Sequence, residues 1–223
     1  MDKKEVRTLP EAEIRLQPDS RKVEGYGIVF NQKSGDLGGF KEVILPQAIE
    51  GVIDRSDILA LLNHNIDKGV LGRSTNGEGS MKISIDKKGA KYSFEAPKFA
   101  AGQELIEGIE RGDIRSSSFA FTVMPKGEIW EKQEDGTYLR TITQFNQLYD
   151  MSPCYKAAYQ DTSVAMRSME QIKEDQEPKG EEEVKPDAGD AASVPIAKTD
   201  PRQDYHRHLQ QKYEYYKFKL KKK

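Results

Sequence analysis

The run Gln103–Met124, QELIEGIERGDIRSSSFAFTVM, changes period in its middle, and that change decides the fold class. Leu105, Ile106 and Ile109 share one face of a helix expected over Gln103–Arg111, with Gly112 placed to end it. From Ile114 to Met124 the period falls to two. Ser117, Phe119, Phe121 and Val123 lie on one face of a strand, and Ser116, Ser118, Ala120 and Thr122 on the other. The phenylalanine face belongs to the core. The opposite face carries only small side chains, and reads as a solvated surface or as a floor on which a substrate backbone lies close to a nucleophile. For a nucleophile, Ser118 or Ser116 fits better than Ser117, whose hydroxyl points into the core.

Strand signals dominate on both sides of this run. Gly25–Phe30 reads as a strand with glycines where chains approach closely, and Ile58–His64 as a short buried run ending on His64. Lys82–Asp86 alternates with period two, Asp86-Lys87-Lys88-Gly89 is a turn, and Ala90–Ala96 is the return strand. Gly127–Tyr138, with Asp135-Gly136, suggests a hairpin, and Tyr138–Met151 carries further strand residues. Many strands with few helices predict a small α+β domain over residues 23–167, built on a β-barrel or a curved antiparallel sheet. Residues 1–22 precede it as an N-terminal segment.

Beyond Arg167 the composition changes. Residues 168–204 are acidic and interrupted by Pro178, Pro186, Pro195 and Pro201, which predicts a disordered linker. Residues 205–223 turn basic, and Tyr205, Leu209, Tyr213, Tyr216 and Leu220 form one stripe of an amphipathic helix suited to docking on an acidic partner.

Composition excludes several function classes. Lys+Arg 35 against Asp+Glu 37 gives 35 − 37 = −2, so no basic field argues for nucleic acid. One cysteine in 223 residues leaves no disulfide framework and no multi-cysteine zinc site. The longest strongly apolar run, Ile58–Leu62, is far short of the roughly 20 residues of a membrane span. MDKKEVRTLP is followed by no apolar stretch of a secretory signal. A soluble, cytosolic protein is expected, with no nucleic-acid or membrane partner.

Three places could carry chemistry. His64 is the single histidine of residues 1–167, at the end of an apolar run, where it reads as a polar strand end or as a general base. The serine run is the second. Asp150 and Asp161 are the third: either could orient an imidazole, and either could be a turn or capping aspartate. Cys154 has no neighbouring charge cluster to lower its pKa and reads as a buried structural thiol.

Taken in order, Gly25-Tyr26-Gly27, Leu61-Leu62-Asn63-His64-Asn65, Val70-Leu71-Gly72-Arg73, Gly112-Asp113-Ile114-Arg115, Ser118-Phe119-Ala120-Phe121, Asp150-Met151-Ser152-Pro153 and Asp161-Thr162 resemble the prohead (capsid-maturation) serine proteases of tailed bacteriophages. The resemblance implies an assemblin-like fold, with His64 matching the family's catalytic histidine, Ser118 its serine and Asp150 the acid. Members often have glycine two residues before and after the serine. Ser116 and Ala120 stand there in this chain, which keeps Ser116 open as an alternative nucleophile. Asp161 stays open as the third member. A second histidine, as in assemblins, is absent from the body; His206 and His208 are in the tail.

The resemblance further implies a phage or prophage origin and no cofactor or metal. The substrates would be the major capsid precursor and its scaffold segment, cut inside the assembling prohead in the host cytoplasm, with self-cleavage. Portal or other prohead components, and further copies of the chain, are the partners left open. Arg115 and Arg140 are the basic residues that could assist an oxyanion. The alternative function is a catalytically silent scaffold or chaperone module. A β-rich carbohydrate or nucleic-acid binder would require an aromatic or basic groove, whereas Phe94, Phe119 and Phe121 read as core and Trp130 sits in the hairpin.

Overall fold

The computed structural model describes residues 4–10, 12–155, 165, 169 and 170. The strands are β1 (Glu5–Leu9), β2 (Arg15–Leu16), β3 (Lys22–Val29), β4 (Phe40–Ile44), β5 (Asp57–Ala60), β6 (Gly72–Thr75) and β7 (Glu78–Gly79). They continue with β8 (Met81–Ile85), β9 (Gly89–Glu95), β10 (Ser116–Val123), β11 (Glu128–Lys132), β12 (Tyr138–Ile142) and β13 (Phe145–Cys154), and helix α1 spans Ala100–Glu110. One sheet runs β1-β10-β13-β5-β6-β7, a second β11-β12-β4 and a third β2-β3-β9-β8.

The α+β class holds, but no barrel closes. Closing the largest sheet would require β1 to pair with β7, which is two exposed residues long. Pairing is antiparallel except for β4 with β12 and β5 with β13, which are parallel.

Local chemistry explains the elements. The β8–β9 hairpin turns on Asp86, whose Oδ1 accepts the N–H groups of Lys88 (2.7 Å) and Gly89 (3.0 Å). Helix α1 starts before the expected Gln103: Phe99 is its cap, without a side-chain bond, and the Phe99 carbonyl accepts the N–H groups of Gly102 and Gln103 at 3.0 and 3.2 Å. Its end is as expected. Gly112 has φ +76°, its N–H reaches the Ile109 carbonyl at 3.0 Å, and the Asp113 N–H reaches that of Gly108 at 2.8 Å, a Schellman closure.

The main core joins the large sheet to β3, β9 and α1, through Ile28, Tyr92, Phe94, Leu105, Phe119, Phe121 and Phe145 among others. Phe121 meets Phe119 and Phe145 with ring centroids 5.2 and 4.9 Å away. A second cluster unites Leu37, Phe40, Trp130, Tyr138, Ala165 and Met169. Met169 therefore belongs to the folded body, although it falls within the linker expected from residue 168. Residues 171–223, which hold the rest of that linker and the expected docking helix, lie outside the described residues.

The N-terminal segment is likewise part of the sheets. β1 pairs antiparallel with β10 along its whole length, setting Thr8 opposite Ser118. It is fixed from behind by ion pairs. Arg7 bonds Glu5 and Glu42 at 2.7–3.0 Å, and Arg140 bonds Glu5, Glu42 and Glu128. Glu5 is on β1, Glu42 on β4, Glu128 on β11 and Arg140 on β12, so the cluster ties the edge of the large sheet to the three-stranded sheet. Burial pushes the Glu5 carboxyl up, but Arg140 and Arg7 together outweigh it and hold the group below its ordinary value.

Candidate active site

Ser118 lies in the middle of β10, between Thr8 of β1 and Ser152 of β13. Residues directly opposite in an antiparallel ladder point to the same face. Ser118, Ser152, Ala120 and Asp150 therefore share one face, since Ala120 pairs with Asp150. That face is not a solvated surface: Ser116, Ser118, Ala120 and Thr122 are all buried, and β1 pairs along the edge of β10.

The three serines have separate partners. Ser117 points to the other face and its Oγ is 2.8 Å from the Tyr92 hydroxyl. Ser116 donates to the Pro10 carbonyl at 2.9 Å. Ser118 is 0% exposed and donates to the Arg7 carbonyl at 2.8 Å, while the Thr8 hydroxyl approaches it at 3.4 Å.

His64 is not at a strand end. β5 stops at Ala60, and His64 lies in a tight turn, Leu62-Asn63-His64-Asn65, closed by the Asn65 N–H on the Leu62 carbonyl at 3.1 Å. Both central residues are left-handed, Asn63 at φ 53° and His64 at φ 57°, as a type I′ turn requires. Asparagine tolerates this conformation well and histidine is among the residues enriched in it, yet both still incur backbone strain. Tertiary bonds hold the turn. Asn63 donates its N–H to the Pro153 carbonyl and accepts the Tyr155 N–H on Oδ1, each at 3.1 Å.

These bonds set the turn against the end of β13, beside Asp150. His64 Nδ1 lies 2.6 Å from Asp150 Oδ1. The distance is that of a charge-assisted hydrogen bond, but the ring N–H is not aligned on the oxygen. His64 Nε2 has no hydrogen-bond partner. Loose alignment of this kind is common before substrate binds. Asp150, 1% exposed, has two further neighbours: the Ser152 hydroxyl donates to Oδ1 at 3.0 Å, and Lys4 Nζ is 3.5 Å from Oδ2.

The structure thus sets His64 against Asp150, whose side chain shares a face of the large sheet with Ser118. Asp161 lies outside the described residues, as do His206 and His208. Cys154 is 1% exposed, and burial pushes its thiol up to about 12, which leaves no thiolate at neutral pH. Arg140 is unavailable as an oxyanion helper, because its guanidinium is consumed by the carboxylates of Glu5, Glu42 and Glu128; Arg115 is exposed. Among the described residues no group of three or more His, Cys, Asp or Glu side chains is disposed to hold a metal ion.

Residues 10–175 match the family model described as caudovirus prohead serine protease. The chain belongs to that family. Membership gives it a serine-protease role in capsid maturation. Among solved structures the chain is similar to the capsid assembly protease gp21 of bacteriophage T4, at 12% identity over 69% of this chain and 98% of that one, with a TM-score of 0.41. No curated protein matches.

In this prohead protease, sequence reasoning passed over three groups at the site. Ser152 was readable, since Asp150 and Ser152 are two apart on one strand and so share a face. The Arg7 carbonyl and Lys4 carried no local signal, because their proximity depends on β1 pairing with a strand more than a hundred residues away.

Proposed function

We propose that Ser118 is the nucleophile, His64 the general base and Asp150 the orienting acid of an endopeptidase. It would cut the major capsid precursor and its scaffold segment inside the assembling prohead, in the host cytoplasm. The observation that carries this reading is the approach of His64 Nδ1 to Asp150 Oδ1, 2.6 Å, on the face that also bears Ser118.

In the reaction, the Ser118 hydroxyl leaves the Arg7 carbonyl and turns to His64 Nε2. Its oxygen attacks the scissile carbonyl while Nε2 takes the proton, and the imidazolium then protonates the leaving amine. Asp150 keeps the remaining ring proton on Nδ1 and stabilises the imidazolium. Backbone amides supply the oxyanion donors. Water enters on the acyl-enzyme by the same proton route in reverse. The body would also nick its own chain within residues 168–204, and residues 205–223 would dock it on an acidic precursor segment.

A serine-reactive fluorophosphonate tests the assignment. One adduct on Ser118, absent from Ser118→Ala and strongly slowed in His64→Ala, is expected. An adduct on Ser116, or undiminished labelling of Ser118→Ala, overturns it.

A further inference from the structure

Ser152 is a buried polar group at the site that the reaction above does not use. It is 0% exposed and stands directly across the β10–β13 ladder from Ser118. Its Oγ accepts the N–H of Leu61 at 3.1 Å and donates to Asp150 Oδ1 at 3.0 Å. The place of Leu61 gives these two bonds their meaning. The parallel pairing of β5 with β13 amounts to Asp150 beside Leu59, and β5 ends at Ala60. Leu61 is the first residue past the strand, leading directly into the turn that carries His64. Its amide has left the ladder, and the Ser152 side chain supplies the acceptor that a backbone carbonyl would otherwise provide.

A hydroxyl has one proton. Because the Leu61 amide is itself a donor, the Ser152 proton has only the carboxylate to go to, and this fixes the hydroxyl's direction. Oδ1 of Asp150 is then the oxygen that receives Ser152 and also faces His64 Nδ1. One hydroxyl therefore sets two coordinates together: the rotation of the carboxylate about its terminal bond, and the height of the His64 turn above the sheet.

Resting on the assignment of His64, Ser118 and Asp150 proposed above, we infer that Ser152 is a positioning residue of this protease. It touches no substrate. It acts through Asp150, by locking Oδ1 toward the imidazole and tethering the histidine turn to the strand that carries the acid.

A double-mutant cycle on the full chain tests this, with a capsid-precursor peptide as substrate and fluorophosphonate labelling as a second rate. Ser152→Ala lowers kcat by about 10- to 100-fold, the range expected when reacting groups are misplaced by about 1 Å, with KM little changed. In an Asp150→Asn background the same substitution costs less than about threefold, because the group through which it acts is already disabled. A structural role alone would cost the same factor in both backgrounds. Ser152→Thr keeps the hydroxyl and restores most of the rate. Ser152→Cys, close in size but a weak donor, behaves like Ser152→Ala and replaces it if the alanine variant does not fold. Equal factors in the two backgrounds, or an unchanged kcat in Ser152→Ala, overturn the inference. Full activity of Asp150→Asn or Ser118→Ala instead overturns the underlying assignment, which separates the two failures.

Discussion

Arg140→Met removes the centre of the buried ion cluster and keeps most of the side chain's volume. In the native protein Arg140 donates to Glu5 through both terminal nitrogens (2.7 and 2.8 Å), to Glu42 at 2.8 Å and to Glu128 from Nε at 2.6 Å. The substitution leaves these three carboxylates with Arg7, which bonds only Glu5 and Glu42. Breaking a buried pair by deleting one partner costs about 3–5 kcal/mol, since the remaining charge stays desolvated. For a domain of this size, about 2–4 °C per kcal/mol gives a fall in Tm of roughly 6–20 °C.

The pH dependence separates this mechanism from simple loss of packing. Native Glu5 is held below its ordinary value of 4.5, so its contribution is present above that value and is lost as pH falls through the lower folded one. Without Arg140, burial dominates and the folded value rises above the unfolded one. Protonation then favours the folded variant. The gap between wild type and Arg140→Met should therefore narrow as the pH is lowered from 7 to about 5, and Glu5→Gln in the variant should recover part of the loss at pH 7. Urea titrations at both pH values measure it. A loss below about 1 kcal/mol, or one identical at the two pH values, refutes the reasoning, because the cluster would then be energetically equivalent to an exposed network.

Other outcomes follow from single sites. His64→Gly and His64→Ala are both inactive toward a precursor peptide, but the glycine variant is more stable in thermal melts by about 1–2 kcal/mol, the left-handed cost a Cβ incurs. Asp150→Asn lowers kcat by several orders of magnitude, on the order of 10⁴ in the worked triad case, with KM little changed in steady-state peptide cleavage. Cys154, its thiol pushed up to about 12 by burial, stays unreactive to Ellman's reagent at pH 7–8 until the chain is unfolded in denaturant.

The parts of the fold that were legible in sequence are those where local period and burial agree. The β8–β9 hairpin, the faces of β10 and the Schellman end of α1 each follow from residues within one turn or one strand of each other. What sequence misread depends on partners far along the chain. β1 looks like a polar leader because Glu5 and Arg7 are charged, but they point inward to Glu42 and Arg140, 35 and 135 residues away. The small-residue face of β10 looks open in sequence, yet Ser116, Ser118, Ala120 and Thr122 are all buried, and β1 occupies what would be the strand's free edge. The His64 turn reads as a strand end because Asn63-His64 carries no glycine. Its left-handed geometry is held through Asn63 by Pro153 and Tyr155, on and just after the neighbouring strand β13, the latter 92 residues away in the chain.

That same arrangement distinguishes Ser118 from its neighbours by position. Ser117 is opposed by a buried phenol and Ser116 by the Pro10 carbonyl, and neither stands across from the strand position that precedes or follows Asp150 by two. Ser118 does, through Ser152. Its resting bond to the Arg7 carbonyl is a neutral one, worth net about 0.5–1.5 kcal/mol. On the proposed mechanism, turning the hydroxyl to His64 breaks that bond and satisfies Nε2, a buried nitrogen that has no partner at rest. The exchange is close to neutral, so at most about a tenfold population penalty separates the resting serine from one presented to its base. On that mechanism β1 holds the deeply buried Ser118 without disabling it.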